Sequence, residues 1–138
     1  DTLQNYPYLV AEQDGVPVGY AYAGKFHERA AYDWSVETSI YVEQHRKRQG
    51  IGRLLHDALE QELQRRHFLN MNACVACPIG ENDSYLTRDS ICFHEKLGYR
   101  VVGEFHQCGY KFGRWYHMVW LEKHIGSHEG TPLPVLRG

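Results

Sequence analysis

The chain has 138 residues, 43% of them apolar, and a formal net charge of −2 at neutral pH. That suits one domain with its own core and excludes the strongly basic balance of a bulk nucleic-acid binder. No apolar run reaches membrane-spanning length, the opening DTLQNYPYLV does not read as a signal sequence, and four irregularly spaced cysteines make no disulfide framework.

The elements follow in order. YPYLVAEQ and VPVGYAYAGKF are strand-like runs on either side of Asp14-Gly15, a two-residue hairpin signal. A third strand is expected from about Trp34 to Val42, with Glu37 among Trp34, Val36, Ile40 and Tyr41. Ile51, Leu54, Leu55, Ala58, Leu59 and Leu63 then recur at helical spacing, with Arg53, His56, Asp57, Glu60, Gln61 and Gln64 on the polar side. Arg65, Arg66 and His67 close that helix, where cations suit its dipole. NMNACVACP is the next strand. Strand alternation turns Cys74 and Cys77 to opposite sides, so no zinc or other metal is expected there. IGENDSYLTRD is expected as a polar loop, and SICFHEKLGY as a short helix capped by Ser90 and stopped at Gly98. RVVGEFHQCGYKFGRWYHMVWLEKHI makes two strands around a Gly-rich turn, and residues 127–138 form a peripheral Pro/Gly-rich tail to a domain of residues 1–126. The fold class is α+β: a mixed, largely antiparallel sheet flanked by helices, with a right-handed parallel crossover from strand 34–42 to strand 72–78.

Gly50 and Gly52 stand at the entrance of the first helix, behind His45, Arg46, Lys47 and Arg48. Glycine costs about 1 kcal/mol in a helix relative to alanine, so a reason is needed. Free N–H groups at a helix start bind anions, and glycines let a phosphate approach them closely. The stretch lacks the GxxxxGK[ST] of a P-loop and the third glycine of a dinucleotide site. By itself it reads either as a pyrophosphate site or as a solvated basic turn.

RQGIGRLLHDALE after SIYV resembles the acyl-CoA-binding segment of the GNAT N-acetyltransferase superfamily, and SICFHEKLGYRVVGEF resembles its later helix and strand. With YPYLVAEQDGVPVGYAYAG, AYDWSVETSIYV and GYKFGRWYHMVW, the chain resembles the phosphinothricin acetyltransferase group from about Tyr6 to Glu122. The resemblance implies acetyl-CoA as cosubstrate. It gives the pyrophosphate to Arg48, Gln49, Gly50, Ile51, Gly52 and Arg53, and the pantetheine arm to Ile40, Tyr41 and Val42. Lys47 stands where the family has Gln or Arg. Thr87 stands where an Asn, three residues before the helix Ser (here Ser90), contacts the cofactor, and Asn82 is the other candidate. The chain begins at what resembles the family's second strand, so the resemblance also implies a missing N-terminal strand and helices.

Transfer to an amine needs a proton removed from the amine and one returned to the leaving thiol. The resemblance assigns the first to Glu37 and the second to His94, with oxyanion contacts from N–H groups near Ile40 to Val42. The alternatives are a carboxylate on a solvated strand face and a histidine that only packs. Tyr110, Lys111, Trp115 and Tyr116 are expected near the acceptor, where an aromatic wall with a cation suits an amino acid bearing a carboxylate or phosphinate; the alternative is an ordinary aromatic hairpin. The implied activity is acetylation of a small amine of the phosphinothricin or methionine sulfoximine type, in the cytoplasm; related enzymes often form homodimers, and no nucleic-acid or membrane partner is expected. The alternatives are another acceptor, such as a polyamine or a protein N-terminus, and a CoA-binding module without turnover.

Overall fold

The computed structural model describes residues 6–43, 50–78 and 84–137, with side chains except at 78 and 84–88. The strands are β1 (Tyr8–Gln13), β2 (Val16–Lys25), β3 (Ser35–Val42), β4 (Asn70–Pro78), β5 (Arg100–Lys111) and β6 (Arg114–His124). The helices are α1 (Ile51–Arg65) and α2 (Ser84–Lys96), with a short 3₁₀ turn at Ala30–Tyr32. Hydrogen-bonded neighbours run β1-β2-β3-β4-β6-β5, the expected mixed α/β sheet with antiparallel hairpins at its ends. The chain divides into two compact units, Asp1–Met71 with His124–Gly138, and Asn72–Lys123.

In the first unit the β1–β2 hairpin closes through Asp14 and Gly15, both with positive φ, as the Asp-Gly pair requires. β1 pairs β2 antiparallel with a bulge at Ala11/Glu12, and β2 pairs β3 from Gly19↔Val42 to Lys25↔Val36. One face buries Ala21, Ala23, Val36 and Thr38. α1 packs on this three-stranded sheet, with Leu55, Leu59 and Leu63 buried. Here the helix differs from its sequence pattern. Leu54 is 67% exposed and Ala58 is exposed, whereas His56, read as polar-face, is fully buried. At roughly 100° per residue the buried arc is centred between Leu55 and His56, which rotates Leu54 away. α1 ends at His67, whose φ of +71° reverses the chain; the His67 amide donates to the Gln64 carbonyl and the buried Phe68 amide to that of Leu63.

The tail joins this unit by specific bonds. Trp34 Nε1–H donates to the Leu133 carbonyl at 2.8 Å, His67 Nδ1–H to that of Pro134 at 2.9 Å, and the Leu136 amide to that of Arg66 at 2.9 Å. Arg137 lies over the Tyr6 ring. A cavity of about 290 Å³ opens between this tail and the start of β3, lined among others by Trp34, Ser35, Asn70 and His128.

In the second unit the expected loop is shorter than its sequence reading. α2 begins at Ser84, so Ser90 is an interior residue and not the N-cap. Residues such as Leu86 extend the helical pattern backward, and a mid-helix serine is tolerated when it competes for no backbone bond. The C-terminus is as expected: Gly98, at φ +101°, lets its own amide reach the Glu95 carbonyl and the amide of buried Tyr99 reach that of His94. β5 and β6 form a hairpin through Phe112 and Gly113, both at positive φ, with Lys111 opposite Arg114 and Tyr110 opposite Trp115.

Candidate active site

β3 alternates: Val36 and Thr38 face the core, and Glu37, Ser39 and Tyr41 face the other way. Directly across on β2 stand Gly24, Tyr22 and Tyr20 respectively. The tyrosine rings form a stacked ladder on this face: Tyr8 with Tyr20 and Tyr22 at 5.9 and 5.5 Å, and Tyr20 with Tyr41 at 5.3 Å. Glu37 is half-buried at the end of that ladder, and burial pushes its carboxyl above its ordinary value. Among the described residues no hydrogen bond or ion pair engages the carboxylate. A raised, unengaged carboxylate is suited to taking a proton.

Past the end of β3 lies the start of α1. Gly50 holds φ +81°, where a β-branched residue is strained, and its carbonyl accepts the first helical bond from Leu54 at 3.0 Å. It has no side chain to cap the helix, and no acidic residue occupies the first turn. The amides of the first turn, including Gly52 and Arg53, therefore have no partner within the helix. This is the donor set a pyrophosphate needs, and Gly52 puts no side chain over it. Arg48, Gln49 and Asn82 lie outside the described residues. Ile40, Tyr41 and Val42 close β3, standing opposite Ala21, Tyr20 and Gly19 of β2.

In the second unit, His94 sits on the last turn of α2. Its ring packs edge-on against Phe93 and Tyr99, and Nδ1 lies 2.9 Å from the Ser90 carbonyl. A carbonyl only accepts, so Nδ1 carries a proton and Nε2 is the nitrogen left for chemistry. Burial lowers the His94 pKa, against the weaker opposite pull of the Ser90 carbonyl. Thr87 lies about two turns before His94 in the backbone of α2. At the tip of the β5–β6 hairpin, Tyr110 and Trp115 meet edge-on at 5.0 Å. Lys111 Nζ and the Arg114 guanidinium both lie 5.4 Å from the Tyr116 ring centre. Arg114 was missing from the sequence reading; a two-residue Phe112-Gly113 turn would have placed it opposite Lys111. Among the described residues no group of three or more His, Cys, Asp or Glu can hold a metal ion.

An α+β sheet with an anion-ready helix start after a carboxylate-bearing strand is the arrangement that the GNAT resemblance implies. Residues 1–120 match the model of the acetyltransferase (GNAT) domain, and the chain belongs to that family. It is 40% identical over 130 residues to phosphinothricin N-acetyltransferase of Streptomyces viridochromogenes, covering 94% of this chain and 66% of the relative. It is 32% identical to the L-methionine sulfoximine/L-methionine sulfone acetyltransferase of Salmonella typhimurium, covering 91% of this chain and 69% of the relative. A phosphinothricin acetyltransferase from Sinorhizobium meliloti, solved in complex with acetyl-CoA, superposes with a TM-score of 0.79 at 33% identity, over 93% of this chain and 66% of that one. The chain thus spans about two thirds of the length of these proteins.

Proposed function

We propose that this chain carries the catalytic part of an acetyl-CoA-dependent N-acetyltransferase acting on a small amino-acid-like amine of the phosphinothricin or methionine sulfoximine type. The observation that carries the reading is Glu37: a half-buried carboxylate of raised pKa, unengaged among the described residues, on the strand that leads to an uncapped helix start. The names of the similar proteins support the acceptor class.

When bound, acetyl-CoA supplies the acetyl thioester. The first-turn amides of α1, from Ile51 to Arg53, hold the pyrophosphate, with Gly50 in the left-handed conformation that aims them and Gly52 leaving room. Arg48 and Gln49 extend that site. The closing residues of β3, Ile40 to Val42, hold the pantetheine amides and offer N–H groups to the developing oxyanion. Ser90 on α2 adds a polar contact, and the resemblance gives Thr87 the same role. Glu37 takes the proton from the acceptor ammonium, directly or through water, and frees the attacking lone pair. His94, protonated at Nε2 with Nδ1 tied to the Ser90 carbonyl, returns a proton to the leaving sulfur. Lys111 and Tyr116, which share one face of the hairpin, receive the acid group of the acceptor, while Tyr110 and Trp115 pair on the opposite face.

The domain is residues 1–126 and residues 127–138 are an appended tail. A cytoplasmic setting fits the four cysteines, none of which forms a disulfide, and among the described residues no helix is long and apolar enough to cross a membrane. The test is a screen of amines with acetyl-CoA, reading release of free thiol, on the full-length gene product. Turnover of L-phosphinothricin or L-methionine sulfone is the expected result. Acetyl-CoA binding without turnover of any amine would leave a CoA-binding module as the correct account.

A further inference from the structure

Gly24 stands directly opposite Glu37 in the β2–β3 pair. In an antiparallel pair the residue opposite shares the same face and sits about 5 Å away, so its side chain normally covers its partner. Here that cover is missing. A methyl group built on Gly24 meets no atom within 4 Å, and Gly24 has no positive φ that would demand glycine. Backbone conformation therefore does not explain the residue, and strands disfavour it: glycine packs nothing and weakens the pairing. The neighbouring positions on the same face of β2, Tyr20 and Tyr22, carry large rings. The ladder stops one residue short of the carboxylate, leaving it uncovered from the β2 side.

We propose that Gly24 is a specificity-determining position, whose missing side chain is the slot that admits the amine-bearing carbon of the acceptor to Glu37. The inference rests on Glu37 being the base of the proposed reaction. Tyr22 is the next residue of β2 on this face, so the size of the side chain at position 24 sets how much bulk around the amine reaches Glu37. A side chain here does two separable things. It fills the slot, which weakens acceptor binding, and it takes the carboxylate further out of water, which raises its pKa.

The experiment compares wild type with Gly24→Ala and Gly24→Val, using acetyl-CoA with L-methionine sulfone as the acceptor probe. The expected result is a graded loss of kcat/KM for the amine, modest for Ala and about tenfold or more for Val, in line with the discrimination one or two methyl groups produce in a pocket. KM for acetyl-CoA stays unchanged, thermal stability does not fall, and the limb of the pH–rate profile assigned to Glu37 moves to higher pH in the Val variant. A Val variant with wild-type kcat/KM and an unmoved limb overturns the proposal while the acetyltransferase reading stands. If wild type turns over the probe and the limb persists in Glu37→Gln, then Glu37 is not the base, and the failure belongs to the parent reading. Should the Val variant melt early, Gly24→Ala decides alone, through its acceptor KM and its pH limb.

Discussion

In the proposed reaction Glu37 and His94 handle the protons, and their environments push them in opposite directions. Glu37 in the fold has a pKa above its unfolded value because burial penalises its charge. The protonated form is favoured on folding, so this contribution to stability is present at low pH and is lost as pH rises through the folded pKa. Glu37→Gln should therefore raise the melting temperature at pH 7 and leave it almost unchanged near pH 4. In the same variant kcat should fall about 100-fold at neutral pH with acetyl-CoA affinity preserved, measured by steady-state kinetics and calorimetric titration. His94 is shifted downward by burial, so the fold favours its neutral form. As a proton donor it is competent only below that lowered pKa. With a base raised and an acid lowered, the expected pH–rate profile is a narrow bell whose maximum lies on the acid side of neutrality. His94→Phe should remove the alkaline-side fall. A wild-type rate that climbs steadily from pH 5 to 8 would count against the donor role.

At the scale of elements, α1 serves two masters. Its body is stabilised by the buried stripe Leu55, Leu59 and Leu63, and its last turns by Glu62, which Arg65 and Arg66 both approach, with oxygens at 2.6 and 2.7 Å. The hydrogen bond from Arg65, and then that from Arg66, holds the Glu62 carboxyl down at about 2. This stabilisation is present above the ordinary carboxylate pKa and is lost as pH falls toward 2. Glu62→Gln should lower the melting temperature at pH 7 and converge with wild type at the acid end. The start of α1, by contrast, is uncapped and carries two glycines, and the proposed function gives it to the pyrophosphate. Gly52→Ala should stabilise the folded chain by about 1 kcal/mol in chemical denaturation, because alanine is the better helix former. It should also weaken acetyl-CoA binding, because it adds a methyl beside the first-turn amides. A gain in stability with unchanged affinity would remove Gly52 from the cofactor site. Gly50 is a poorer probe: at φ +81° any larger residue perturbs the loop before it meets a ligand.

Across the whole molecule, the end of the chain completes the first unit. The Ile125 amide donates to the Leu69 carbonyl at 2.8 Å, and Gln64 Nε2 donates to the Ile125 carbonyl at 3.0 Å. The tail then crosses Trp34, His67 and Arg66 in turn. Trp34→Phe keeps the ring and removes the N–H that holds Leu133. It should cost about 1 kcal/mol and hasten proteolytic cleavage within residues 127–137, read by mass spectrometry of a limited digest. Wild-type digestion kinetics in that variant would show that the other contacts suffice.

Several features were legible from the chain alone, because each depends on residues close in sequence. Asp14-Gly15 announces its hairpin through the backbone freedom of the pair, Gly98 announces the end of α2, and the spacing of Leu55, Leu59 and Leu63 announces a helix. The motif around Gly50 and Gly52, with the other segments, likewise pointed to the GNAT family. What the chain could not disclose depends on partners far apart in sequence. Which of Leu54 and His56 is buried follows from how α1 lies on β1, β2 and β3, and helical spacing leaves that rotation open. Where α2 begins was obscured because Ser90 is a good cap in any sequence, whereas the helix starts six residues before it. The attachment of residues 127–137 to Trp34 spans about a hundred residues. The pairing of Gly24 with Glu37 is of the same kind. A strand's alternation shows which side a residue faces, but its neighbour across the sheet is set by register, and register is decided only when the strands meet.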